Sequence, residues 1–79
     1  MELTNAFGIV LRKLRNENEL TQERLGFESD LRRTFISTLE LGQKQPTIAT
    51  IFKLSVGLGI KPSRLIELVE IELDENPKL

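Results

Sequence analysis

The sequence predicts an all-α domain of five short helices. Apolar residues recur at spacings of three and four without a two-residue alternation, which is the signature of helices and not of strands. Helix-starting residues (Thr21, Thr47, Pro62) and helix-ending glycines (Gly42, Gly59) punctuate the chain at intervals suited to helices of two to four turns. At 79 residues there is room for one domain, burying roughly 60–65% of its unfolded surface, so every helix must share a single core.

The first helix is predicted from about Thr4 to Glu17, with Phe7, Val10, Leu11 and Leu14 on one face. Gly8 inside it costs about 1 kcal/mol against alanine, and the polar run Asn16-Glu17-Asn18-Glu19 ends it. Thr21 is a good N-cap for the second helix, supported by Glu23 in its first turn. A polar break at Glu28-Ser29-Asp30 separates it from a third helix over about Arg32 to Leu41, which Gly42 can close in the left-handed conformation. Pro46-Thr47 opens a fourth helix with Thr47 as cap and Ile48, Ile51, Phe52 and Val56 directed inward; Gly57 and Gly59 mark its end. Lys61-Pro62 starts the fifth, where the missing N–H of proline is harmless.

Composition narrows the function. Hydrophobic content of 39% and charged content of 29% describe a folded globule. The chain has no His and no Cys, so the common general base, the thiol nucleophile and the soft metal ligands are lacking, and no disulfide framework exists. The glycines of Gly57-Leu58-Gly59 follow a helix and not a strand, unlike a phosphate-cradling loop. The expectation is a protein that is not an enzyme, without cofactor, metal or small-molecule ligand. No basic leader and no run of about 18 apolar residues occurs, which points to a cytoplasmic protein without membrane contact. The net charge is −1, yet residues 31–64 carry six basic residues and one acid, while residues 65–79 carry five acids and one base. A neutral total thus conceals a basic middle and an acidic end.

The break near residue 30 has a structural reading. Leu25, Ile36 and Leu39 can pack across a corner where two helices meet at roughly 90–120° through a short turn, with Leu31 plugging it. Gly26 would permit close approach, and Asp30 tolerates the left-handed backbone that a reversal needs. This is a helix-turn-helix corner.

From here the chain resembles the lambda-repressor-like, XRE-type helix-turn-helix family. The resemblance rests on "LRKLRNENELTQERLGFESDLRRTFISTLELGQKQPTIATIFKLSVGLGI". In register fall Arg15 before the second helix, Thr21-Gln22-Glu23 opening it, "FISTLELG" closing the third, Pro46-Thr47 opening the fourth and "LGI" ending it. It departs from the family where Gly26 replaces the usual alanine, Asp30 the usual glycine, and Leu41 a residue that is often polar. The resemblance implies a compact five-helix lambda-repressor-like domain over residues 1–79, with its third helix in the DNA major groove. Arg33, Thr34, Ser37 and Thr38 would then face the bases and Ile36 and Leu39 the core. The spacing independently puts those four on one stripe; a plain solvated helix face would look the same, and the helix-turn-helix frame favours readout. Arg33 could hydrogen-bond guanine, and the threonines could offer a hydroxyl to base or phosphate, or a methyl to thymine. Gln22 resembles the family's phosphate-contacting glutamine. Arg32, Gln43, Lys44, Gln45 and Thr47 are backbone candidates, supplying affinity and salt dependence more than sequence information. Arg15 and Glu40, by the same resemblance, form a structural ion pair.

Residues 62–73 contain more apolar side chains than a terminal helix of so small a globule needs. With Leu65, Leu68 and Val69 turned inward, Ile66, Ile71 and Leu73 remain for a symmetric dimer interface, leaving 74–79 as a short tail. An acidic polar face argues against an amphipathic membrane helix. A two-fold dimer would read an imperfect palindrome with half-sites about 34 Å apart. "LRRTFIS" is most similar to the controller proteins of restriction–modification systems, which implies a homodimeric transcriptional regulator of its own gene and an endonuclease gene, with RNA polymerase a further candidate partner. A stand-alone phage-type repressor, or an antitoxin or other protein-binding module, would share much of this pattern.

Overall fold

The computed structural model describes residues 1–76. It contains α1 (Leu3–Glu17), α2 (Gln22–Ser29), α3 (Arg33–Glu40), α4 (Ile48–Leu58) and α5 (Pro62–Glu75), and no strand among those residues. The expected tail is partly helical, since Asp74 and Glu75 belong to α5; residues 77–79 lie outside the described residues.

All five helices contribute to one core. Phe7, Val10 and Leu11 of α1 meet Leu25, Ile36 and Leu39 of the α2–α3 corner, Ile51, Leu54 and Leu58 of α4, and Leu65 and Val69 of α5. α2 packs on α3 and α4, and α1 bridges α3 and α5. Deleting any one of the large buried side chains would leave a cavity costing about 2–5 kcal/mol, so each helix is held by the others more than by its own propensity.

The helix ends explain how so short a chain turns so often. Thr21 accepts the Arg24 N–H at 3.0 Å and Thr47 accepts that of Thr50 at 3.1 Å, so both expected N-caps form. The first four helices close alike, with a left-handed residue (Glu19, Asp30, Gly42, Gly59) followed by an N–H that reaches back five residues. Leu20, for example, donates to the Arg15 carbonyl at 3.1 Å and Leu31 to that of Gly26 at 2.8 Å. Leu20, Leu31 and Ile60, the residues after three of these reversals, pack on the core, as the Schellman closure favours.

Three expectations are corrected. Glu28 and Ser29 do not interrupt the chain; α2 runs through both, and Ser29 is buried. The reversal is confined to Asp30–Arg32 because the left-handed turn at Asp30 completes it in one residue. Gly57 does not end α4 but lies within it, where an added Cβ would strike Ser29 Oγ. Most consequentially, Ile48, Phe52 and Val56 point outward, 71%, 58% and 76% exposed, and only Ile51 of the expected inward set is buried. The buried face of α4 is Thr50, Ile51, Leu54, Ser55 and Leu58. Its small residues let α4 lie close against α2, which the bulkier stripe could not do.

Candidate nucleic-acid interface

α3 owes its orientation to both neighbours. Ile36 and Leu39 are wholly buried, which fixes the helix's rotation about its axis. An added Cβ at Gly26 would come within 2.6 Å of the Leu31 carbonyl oxygen, so the turn lies directly on α2. Gly8 plays the same part from α1: a Cβ there would sit 2.6 Å from the carbonyl oxygens of both Leu39 and Glu40. The residue that looked like a helix weakness is the seat for the end of α3.

An ion-pair network locks that end. Arg15 Nε donates to Glu40 Oε2 at 2.6 Å and Nη2 to Oε1 at 3.0 Å, while Nη1 donates to the Leu20 carbonyl at 2.8 Å. Both side chains are largely buried. The hydrogen bond to Glu40 and its charge push the Arg15 pKa up against the opposing effect of burial. Gln22 Nε2 donates to the same carboxylate oxygen at 3.0 Å. The first residue of α2 is therefore tied to the last of α3, a bond with no local signal in the sequence because it joins residues 18 apart.

With α3 so fixed, Arg33 and Thr34 are exposed and Ser37 and Thr38 half-exposed, on the side away from Ile36 and Leu39. The structure brings the four expected base-contacting residues onto one face. Thr38 Oγ1 donates to the Thr34 carbonyl at 2.8 Å. The loop after α3 is tied to the same turn by the Gln43 N–H, 3.1 Å from the Thr38 carbonyl, and it carries exposed Gln43, Lys44 and Gln45. Thr47 is exposed, with its hydroxyl engaged by Thr50 as a cap. Among the described residues Arg32, Arg33 and Lys44 make no ion pair, whereas Arg24, Lys53 and Arg64 each do. Arg12 on α1 and Lys61 before α5 are also without an ion pair among the described residues, but three of the five such side chains cluster at the α2–α3 turn, the start of α3 and the loop that follows it. Such a surface suits a polyanion whose edges carry hydrogen-bonding groups.

The apolar surface lies elsewhere. Leu3, Phe7, Pro46, Ile48, Ile66 and Leu73 line a groove between α1, α4 and α5 with a volume of about 310 Å³. Ile66 and Leu73, two of the expected interface residues, share it. Ile71 does not; it lines a second groove with Val10, Leu14, Ile60 and Leu68. Sequence reasoning missed an exposed apolar stripe, that of Ile48, Phe52 and Val56 on α4. Among the described residues no group of three or more acidic side chains is placed to hold a metal ion, and no helix is long and apolar enough to cross a membrane.

A family model described as helix-turn-helix matches residues 11–65. The control protein C.BamHI of Bacillus amyloliquefaciens is 37% identical over 73 residues, covering 91% of this chain and 90% of that protein. The wild-type restriction-modification controller protein C.Esp1396I has a crystal structure similar to this one at a TM-score of 0.86 and 29% identity, over 96% of this chain and 99% of that one. The restriction-modification controller protein C.AhdI from Aeromonas hydrophila is similar at a TM-score of 0.76 and 39% identity, over 78% of this chain and 94% of its own.

Proposed function

The chain belongs to the helix-turn-helix family, and we propose that it is a DNA-binding transcriptional regulator of the restriction–modification controller type. The observation that carries the reading is the solvent-facing stripe of Arg33, Thr34, Ser37 and Thr38 on a helix whose Ile36 and Leu39 are wholly buried, flanked by unpaired Arg32 and Lys44. In that reading α3 enters the major groove and Arg33 reads guanine. Lys44, Gln43 and Gln45 grip phosphates, and Gln22, steadied by Glu40, meets the backbone beside them.

The active form in this proposal is a homodimer on a palindromic operator in the cytoplasm. A small protein leaving Ile48, Phe52, Val56 and Ile66 exposed has apolar surface to cover. A second copy would cover it through α4 and the Ile66–Leu73 side of α5, with Ile71 outside the contact. The protein would occupy the promoter of its own gene and of an endonuclease gene, with RNA polymerase as the partner that converts occupancy into transcription. No catalytic step enters the scheme.

The deciding experiment is equilibrium binding to the duplex upstream of its own gene, against a scrambled duplex of equal length, across a salt series. Preference for the upstream DNA, with affinity falling steeply as salt rises, supports the proposal. Equal weak binding to both would instead favour a module that masks a protein partner.

A further inference from the structure

Thr34 and Thr38 lie one helical turn apart on the same face, but their side chains are not equivalent. Thr38 Oγ1 donates its proton to the Thr34 carbonyl oxygen at 2.8 Å. That bond selects between the two side-chain rotamers open to a helical threonine. It also uses the proton that the hydroxyl could have given to a base. What remains for an outside partner is the methyl group and an oxygen that can only accept. Thr34 makes no such bond among the hydrogen bonds of the described residues, so its hydroxyl stays free to donate.

We propose that Thr38 is a specificity-determining residue that reads thymine through its methyl group, not through its hydroxyl. This rests on the reading of α3 as the DNA-reading helix. In the major groove only the A·T pair presents a methyl, on thymine C5. A methyl held in one rotamer on a helix whose rotation is fixed by buried Ile36 and Leu39 can be placed against it without losing side-chain freedom on binding. The rival role for Thr38, donating to a guanine or thymine oxygen, would first require the bond to Thr34 to break.

The test uses duplexes selected by the full-length protein from a random-sequence pool, with each thymine of the selected site then replaced in turn by deoxyuridine. That replacement deletes the 5-methyl and keeps every hydrogen-bonding group. The wild type is expected to lose about threefold to fivefold in affinity at one thymine per half-site, the worth of one methyl group returned to water. Thr38→Val, which keeps the methyl, should retain that loss. Thr38→Ser, which keeps only the hydroxyl, should bind the thymine and deoxyuridine duplexes alike. Undiminished discrimination in Thr38→Ser, or its disappearance in Thr38→Val, would overturn the assignment while leaving the regulator reading intact. A pool that yields no common sequence would remove both.

Discussion

Arg15 holds both oxygens of the Glu40 carboxylate, at 2.6 and 3.0 Å, with the two side chains 12% and 5% exposed. The pair joins the first helix to the last residue of α3, and it does so where water cannot take over if one partner is lost. Removing one member of a buried pair costs about 3–5 kcal/mol, since the other is left charged and unpaired. Glu40→Ala should therefore lose most of the stability of so small a domain in urea unfolding. The double variant Arg15→Met/Glu40→Met should recover a large part of that loss, because two apolar side chains strand no charge. A single variant that unfolds within about 1 kcal/mol of the parent would show the pair to be energetically idle.

Gly8→Ala tests a sign. Helix propensity alone gives alanine an advantage of about 1 kcal/mol in the middle of α1. The added methyl, however, would lie 2.6 Å from two backbone carbonyl oxygens of α3, and neither can move without dragging the end of that helix. The expected result is a lower thermal midpoint and weaker DNA binding together. A raised midpoint would mean that α3 shifts at little cost.

Much of this arrangement is legible in the sequence because it is written locally. Thr21 and Thr47 cap the helices they precede, Asp30 takes the left-handed turn, and the three- and four-residue spacing in α1 selects the face that is buried. α4 is the counterexample. Ile48, Ile51, Phe52, Leu54, Val56 and Leu58 surround that helix with apolar residues, so periodicity cannot say which face turns inward. The choice is made by closeness: Gly57 admits α2, whose buried Ser29 lies where a Cβ would sit, its hydroxyl without a hydrogen-bond partner among the described residues. Steric fit between distant segments has no local signature. The same holds for Gly8, whose partner is 31 residues away or more, and for the bond from Gln22 to Glu40.

The position proposed for the dimer contact follows from that reversal of α4. Phe52→Glu and Ile66→Glu each place a charge on the exposed apolar surface that a second copy would cover. Each should give a monomer in sedimentation equilibrium while circular dichroism shows an unchanged helix content. Ile71→Glu, on the other groove, should remain dimeric. Should Ile71→Glu dissociate the protein while Phe52→Glu does not, the contact lies on the Ile60–Leu68 side of α5 instead.

Arg33 and Lys44 are both cations without a partner among the described residues, yet they sit on different supports and should fail differently. Arg33 stands in the first turn of a helix fixed in rotation, where a guanidinium can address two acceptors of one guanine. Lys44 stands in the loop after that helix, where a flexible ammonium would meet phosphate as a point charge. Arg33→Ala should cost about 1–3 kcal/mol on the preferred duplex and little on a scrambled one, narrowing the gap between them. Lys44→Ala should weaken both alike and lower the slope of log affinity against log salt by about one. The two slopes matter more than the two affinities, because a misfolded variant also binds poorly, but only the loss of a phosphate contact changes how many counterions binding releases. Parallel losses on both duplexes for both variants would take base reading away from Arg33 and leave α3 as a backbone-gripping helix.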